Sequence, residues 1–185
     1  MFAAQSGNER RLLVTIILGI DPGSRKTGFG IVEATETGNR YVSSGVIKLP
    51  VDEPLALRLK VLAESLNKII DEYSPTLAAI EEVFMSKSAG SALKLGQARG
   101  AAMVICATRD LEVHEYATRQ IKQAVVGTGG ASKEQVQHMV TRLLSLPATP
   151  GEDASDALAA ALCHISGDAV RRATGAQAFA LRRLK

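Results

Sequence analysis

Apolar residues follow two different spacings along this chain, and the change between them separates predicted strands from predicted helices. Residues 12–20 are apolar at nearly every position, which is typical of a central strand covered on both faces. Residues 29–34 and 41–48 are two further strand-like stretches, joined by a short link that contains a glycine and an asparagine. Three strands in succession with short links predict an antiparallel meander.

From Leu55 onwards, apolar residues recur every three or four positions, which predicts a helix of about five turns that ends at Ser74 and Pro75. Further apolar strands then alternate with helical stretches. The predicted strands are residues 77–83 and 111–116, and the predicted helices are residues 92–108, 118–126, 133–144 and 152–166. This order predicts an α/β fold with a five-stranded mixed sheet, three strands antiparallel and then two parallel, flanked by helices.

The composition narrows the class of protein. A chain of 185 residues with 46% hydrophobic and 22% charged residues can bury one sizeable core, which excludes a disordered or fibrous protein. No apolar stretch reaches the roughly 20 residues that span a bilayer, and no cleavage site follows the first apolar run. Cys106 and Cys163 lie in apolar runs without metal-ligand spacing, which predicts buried free thiols. We therefore predict a cytoplasmic protein with no membrane partner.

Charge is distributed unevenly along the chain. The formal net charge of +3, from 22 basic and 19 acidic residues, is too small to indicate a nucleic-acid partner. Residues 87–142, however, hold eight basic and four acidic side chains, and residues 168–185 form a basic tail. Residues 143–167 contain three acidic side chains and no lysine or arginine. Such a chain can combine a basic track for phosphates with an acidic pocket for metal ions.

Acidic residues stand at the ends of the most apolar elements. Asp21 ends the first strand, Glu81 and Glu82 end the fourth, and Asp153 and Asp156 open the last helix. If the first and fourth strands are parallel neighbours about 4.8 Å apart, their carboxylates would meet and repel each other unless a cation lay between them. Carboxylates without histidine or cysteine favour Mg²⁺ or Mn²⁺, and two such ions are typical of phosphodiester hydrolysis.

Each of these acids also has an ordinary structural interpretation. Asp153 is a normal residue for the start of a helix, and Asp21 before proline and glycine is a normal turn residue. Glu81 and Glu82 are harder to explain in this way, because strand alternation must point one of them inward on a buried strand. Spacing alone leaves both interpretations open, and it does not choose between the two glutamates.

Several long motifs, in order along the chain, resemble the RuvC family of Holliday-junction resolvases. The similarity extends from about residue 14 to residue 164. The motifs are ILGIDPGSR (17–25), AIEEVFM (79–85), SALKLGQARG (91–100), RQIKQAVVG (119–127), QVQHMV (135–140) and DASDAL (153–158).

The resemblance implies an RNase H-like fold and a homodimer that grips a four-way DNA junction and nicks two strands symmetrically. It further implies two Mg²⁺ ions in each active site, which Mn²⁺ can replace. The family's catalytic metal ligands correspond to Asp21, Glu81, Asp153 and Asp156, which selects Glu81 over Glu82. The RuvA and RuvB branch-migration proteins are the partners that this family implies.

The same resemblance assigns DNA contacts. Phe84 matches the aromatic residue that inserts among bases at the crossover, and stacking on an unpaired base is reasonable for a loop position. Lys122 and Lys133 match basic residues near the scissile phosphate, and Lys87 is predicted to contact DNA as well. A dimer contact is implied at the helix that carries Gly96 and Gly100, although packing against the chain's own sheet would also explain these glycines.

The predicted domain organisation is an RNase H-like nuclease domain over residues 14–167 between two short terminal segments. Residues 1–13 are predicted to be a disordered extension or to precede a natural start at Val14, and the tail 168–185 is expected to attract DNA nonspecifically. Two alternative functions remain: a catalytically silent junction-binding protein, and an RNase H-like nuclease that acts on RNA or flaps. An actin-like ATPase or sugar kinase is excluded, because the chain has no second domain with its own phosphate loop.

Overall fold

A computed structural model describes residues 14–82 and 89–174 of the chain, with side chains described as far as Gly167. The described part contains a five-stranded sheet with the order β3-β2-β1-β4-β5. The strands are β1 (Thr15–Asp21), β2 (Lys26–Thr35), β3 (Gly38–Lys48), β4 (Leu77–Glu82) and β5 (Glu112–Ala117). Strands β1, β2 and β3 pair antiparallel, whereas β4 pairs parallel to β1 and β5 parallel to β4. The predicted mixed sheet is therefore confirmed.

The helices lie close to the predicted positions. They are α1 (Leu55–Tyr73), α2 (Ala89–Thr108), α3 (Thr118–Val126), α4 (Lys133–Leu143) and α5 (Glu152–Thr174). Helix α5 was predicted to end at Ser166, but it continues into the segment that was predicted to be a tail. Because extending a formed helix adds a hydrogen bond for each ordered residue, a polar segment without apolar periodicity can continue it.

Helices cover both faces of the sheet. Alternate residues of β1 point to opposite sides, so that Leu18 and Ile20 pack with α1 and α2. Ile17 lies in the other core, which is formed with α3, α4 and α5. The two central strands, β1 and β4, are buried along most of their length and covered on both faces, which is why their sequences are apolar without alternation, whereas the edge strand β5 is only partly buried.

Helix α5 lies unusually close to the backbone of the central strands. A Cβ atom added at Gly19 would lie 1.9 Å from the carbonyl oxygen of Ala157, and one added at Gly28 would lie 2.0 Å from that of Asp153. Glycine at these two positions therefore permits the helix to sit directly on β1 and β2. This contact determines where the first turn of α5 is placed.

Cys106 and Cys163 are buried and free, as predicted. Within the described residues, no helix is long and apolar enough to cross a membrane. The predicted extension 1–13, Phe84, Lys87 and the chain beyond Thr174 lie outside the described residues.

Candidate active site

Strand alternation and register bring Asp21 and Glu81 to the same face of the sheet. Ile20 of β1 is aligned with Ile80 of the parallel neighbour β4, so the next residues, Asp21 and Glu81, follow side by side. Asp21 is four residues after Ile17, and Glu81 is four residues after Leu77, so each acid lies on the same face of its strand as that apolar residue. Ile17 and Leu77 both lie in the core beneath α5. Glu82, one residue further along, lies on the opposite face of the strand.

Helix α5 brings two more carboxylates to this point. Asp153 lies in the first turn of α5 and Asp156 follows three residues later, so both side chains project from neighbouring parts of one face. The close contact between Gly28 and the backbone of Asp153 fixes this turn against β2. Asp156 lies within electrostatic reach of Glu81 and Asp153, both of which influence its pKa.

The four predicted carboxylates line one cavity of about 280 Å³. Its wall also includes both predicted lysines, Lys122 and Lys133, together with Glu82 and Thr118. The structure therefore brings together every predicted site residue that lies in its described part. The predicted Phe84 and Lys87 fall outside that part.

Burial and crowding favour the protonated forms of two of these acids. Burial, followed by the negative charges of Glu81, Asp156 and Asp153 in that order, raises the pKa of Asp21 to about 8. Burial likewise raises the pKa of Asp156 to about 6, with Glu81 as the next contributor. Lys133 opposes the rise at both aspartates but does not cancel it. The cavity thus holds more negative charge than its own cations neutralise.

Lysine side chains form ion pairs with carboxylates at the start of α5. Lys26 Nζ lies 2.5 Å from Oδ2 of Asp153. Lys133 pairs with Glu152, and its Nζ lies 3.9 Å from Oδ2 of Asp156. These contacts place two ammonium groups against the first turns of α5.

Within residues 14–82 and 89–174, no three acidic, histidine or cysteine side chains are already arranged around one ion position. In this arrangement Asp153 is paired with Lys26, and Lys133 lies near Asp156. The donor set itself fits hard divalent ions, since every group is a carboxylate oxygen and their repulsion is uncompensated. Asp21, Glu81, Asp153 and Asp156 are the residues that could hold such ions.

The structure adds to the site two residues that the sequence did not indicate, Lys26 and Thr118, and it gives Glu152 a specific contact. Lys26 directly follows the motif ILGIDPGSR, but the sequence does not indicate that its side chain pairs with Asp153 at the start of α5. Thr118 donates a hydrogen bond to Glu81, because β5 ends beside β4 and α3 begins at that threonine. Glu152 belongs to the acidic group noted at the start of the last helix, and its contact with Lys133 distinguishes it from the other acids there.

Comparison with known proteins gives a consistent result. The family model "Crossover junction endodeoxyribonuclease RuvC" matches residues 17–164 of this chain. The protein of that name from Teredinibacter turnerae is 60% identical over 153 residues, covering 80% of this chain and 86% of the relative. Its counterpart from Saccharophagus degradans is 56% identical over 172 residues, covering 92% of this chain and 99% of the relative.

Solved structures show the same similarity in three dimensions. RuvC of T. thermophilus, solved in complex with a Holliday junction substrate, superposes with a TM-score of 0.78 at 32% identity, covering 83% of this chain and 94% of that one. The yeast mitochondrial Holliday junction resolvase superposes with a TM-score of 0.61 at 10% identity, which shows a shared fold only. With its sheet order, its carboxylate cavity and these matches, the chain belongs to the RuvC family of crossover junction endodeoxyribonucleases.

Proposed function

We propose that this protein is a structure-selective endonuclease that resolves Holliday junctions by paired symmetric nicks during recombination and DNA repair. The single observation that supports this best is the cavity in which Asp21, Glu81, Asp153 and Asp156 meet beside Lys122 and Lys133. A hydrolase for phosphodiesters needs both kinds of charge at one point. It needs carboxylates to hold metal ions, and it needs cations to hold the phosphate backbone.

The four carboxylates would hold two divalent ions, with Mg²⁺ as the natural ion and Mn²⁺ as its substitute. The raised pKa values of Asp21 and Asp156 support this assignment, because uncompensated carboxylates in a buried cluster are the groups that a cation stabilises. When bound, such ions act as Lewis acids on the scissile phosphate and neutralise the charge that develops on its oxygens.

The chain's own residues orient the substrate and the ligands. Lys133 holds its ammonium group next to Asp156 and Glu152, at the wall of the cavity, where it can pair with a phosphate oxygen. Lys122 lines the same wall from α3. Thr118 fixes one oxygen of Glu81 through its hydroxyl hydrogen bond. We assign Phe84 to stacking at the crossover, and Lys87 to DNA contact, on the family resemblance alone.

A homodimer is the proposed working form, because two symmetric nicks need two cavities related by a twofold axis. Helix α2 offers a suitable face. Leu93 and Val104 are 65% and 62% exposed, and Gly96 and Gly100 lie between them on the same side of the helix. Cβ atoms added at either glycine would meet no described atom within 4 Å, so packing against the chain's own sheet does not explain these glycines.

The wider setting follows from the proposed substrate. Junctions form on chromosomal DNA, so we propose that the protein acts in the cytoplasm, with the RuvA and RuvB branch-migration proteins as partners. Residues 14–167 would form the nuclease domain, and the basic residues of segment 168–185 would add nonspecific attraction to DNA.

Cleavage of a synthetic four-way junction tests the proposed function. The unmodified protein should cut two opposed strands in Mg²⁺ or Mn²⁺ and none in EDTA. Asp21→Asn should abolish cutting but leave junction binding largely intact, whereas Asp52→Asn, an exposed loop aspartate, should behave as the unmodified protein. Equal cutting by the Asp21→Asn variant would refute the mechanism.

Matched substrates separate the alternative functions. A flap and an RNA–DNA hybrid of the same sequence should be cut much more slowly than the junction. Faster cutting of either would favour the RNA or flap nuclease. Junction binding without cutting in any divalent ion would favour the catalytically silent protein.

A further inference from the structure

A second groove, of about 350 Å³, adjoins the carboxylate cavity. It lies over the turn between β1 and β2 and beside α2. The groove shares Asp21, Pro22, Leu95 and Asp153 with the cavity, so the two form one continuous depression on the surface. A strand of DNA that places a phosphate at the carboxylates therefore has a path onward into this groove.

Three basic side chains lie where β2 begins and its antiparallel neighbour β3 ends. Arg25 and Lys26 line the groove and are exposed, with 55% of the Lys26 side chain accessible. Lys48 of β3 lies directly opposite Lys26 in the antiparallel ladder, so the two side chains are on the same face. Like charges directly opposite each other destabilise a ladder, and in this structure Asp153 is the anion that pairs with Lys26. We call Arg25, Lys26 and Lys48 the basic corner.

The backbone beneath the basic corner is held in place. A Cβ atom added at Gly23 would lie 1.9 Å from the carbonyl oxygen of Lys26, so the turn is closed too tightly for another residue. The amide of Leu49 donates a 2.9 Å hydrogen bond to the carbonyl oxygen of Arg25, which ties the turn to the end of β3. The three cations therefore project from a fixed support, which lowers the entropy lost on binding a ligand.

The sheet order separates the basic corner from the cations already assigned to DNA. The basic corner is carried by β2, β3 and the turn before β2, on one side of the β1–β4 pair that carries Asp21 and Glu81. Lys122 follows β5, on the other side of that pair. Cations thus flank the carboxylates on both sides, as a continuous polyanion crossing the cavity would need.

We propose that Arg25, Lys26 and Lys48 form a second phosphate-binding site, which holds the backbone of the cleaved strand on the side of the scissile phosphate away from Lys122. This inference rests on the proposed function, since it assumes a DNA strand at the carboxylates. The ion pair between Lys26 and Asp153 already shows that an acidic group is accepted at this position.

Junction binding measured against salt concentration tests the site. The double variant R25Q/K26Q should bind a fluorescent four-way junction about 10-fold more weakly near 0.1 M salt, because two phosphate contacts are lost. Its plot of log affinity against log salt should be shallower by about 1 to 2. The control K60Q/K68Q removes the same charge from α1, where both lysines are exposed and line neither depression. It should change affinity less than twofold, and equal effects of the two variants would overturn the proposal.

Neutral methylphosphonate linkages locate the contact. They are introduced one at a time on each side of the scissile phosphate, and binding is measured with the unmodified protein, R25Q/K26Q and Lys122→Gln. On the side of the basic corner, neutralising a linkage should weaken binding by the unmodified protein but not by R25Q/K26Q. On the side of Lys122, it should weaken binding by the unmodified protein but not by Lys122→Gln. Sensitivity of both variants to the same linkages would refute the two-sided arrangement.

The outcome for the unmodified protein keeps the two proposals distinct. If it neither binds nor cuts the junction, the proposed function fails. If it does both and R25Q/K26Q matches K60Q/K68Q in affinity and salt dependence, only the second phosphate site fails. The Tm of every variant should lie within about 2 °C of that of the unmodified protein, which would establish that the exposed substitutions leave the fold intact.

Discussion

Thr118 donates a hydrogen bond of 2.5 Å from its hydroxyl to Oε1 of Glu81. The two residues are 37 positions apart in the chain and meet because β5 ends beside β4, in register with it. Glu81 also lines the carboxylate cavity. Thr118 is thus a positioning residue for a proposed metal ligand, and groups of this kind commonly change metal affinity or activity about 10-fold when removed.

We predict that Thr118→Val, which keeps the shape but removes the hydroxyl, lowers the junction cleavage rate about 10-fold. It should also weaken Mn²⁺ binding in calorimetry, which a purely structural role on an exposed helix start would not do. Thr118→Ser restores the hydroxyl and should recover most of both losses. Mn²⁺ affinity of Thr118→Val equal to that of the unmodified protein would contradict the positioning role.

A second prediction concerns Asp21 and the pH dependence of stability. Its folded pKa of about 8 lies above its ordinary value of 3.8, so the folded protein binds this proton more tightly than the unfolded chain does. The associated stability is fully present below about pH 3.8 and is lost as the pH rises through 8. Each unit of pKa difference corresponds to about 1.4 kcal/mol.

In EDTA, Asp21→Asn should therefore raise the Tm at pH 8 by at least about 3 °C, and the gain should disappear towards pH 4. Differential scanning calorimetry across this range measures the effect. Asp52→Asn serves as the control, because Asp52 is exposed, and it should shift the Tm by less than about 1 °C. A gain for Asp21→Asn that did not change with pH would show that burial and crowding of the charge are not its cause.

A third prediction concerns α2 and the proposed dimer. Leu93→Glu combined with Val104→Glu places two charges on the exposed apolar face and should convert the dimer to a monomer in sedimentation equilibrium. Leu57→Glu is the matched control, since Leu57 is 45% exposed on α1, and it should leave the dimer unchanged. A monomeric unmodified protein at micromolar concentration would argue against the dimer itself.

A fourth prediction concerns the contact between α5 and β1. Gly19→Ala would place a Cβ atom 1.9 Å from the carbonyl oxygen of Ala157, so α5 would have to move away from the sheet. We expect a loss of about 3 kcal/mol or more in urea unfolding, and loss of cleavage, because α5 carries Asp153 and Asp156. Gly130→Ala meets no described atom within 4 Å and should change stability by less than about 1 kcal/mol. Equal unfolding midpoints for the two variants would contradict the close contact.

Local sequence patterns were sufficient to predict which elements form and in what order. Their periods arise from the geometry of neighbouring residues, so the apolar run that ends at Asp21 and the helical spacing that starts at Leu55 are both visible without a structure. The same patterns showed that acids stand at the ends of apolar elements. They could not choose between Glu81 and Glu82, and only the resemblance to a family favoured Glu81.

Tertiary structure decided which acids share one face and what surrounds them. The register of β1 against β4 combines with strand parity to place Glu81, and not Glu82, on the face beneath α5 with Asp21. The pairing of Lys26 with Asp153 likewise depends on a hairpin and a helix that are distant in sequence. The periodicity of apolar residues depends only on residues that are near each other along the chain. The charge around a carboxylate depends instead on which distant segments pack beside it. The sequence by itself therefore determined the elements and the candidate acids, and the fold determined the electrostatic environment in which those acids act.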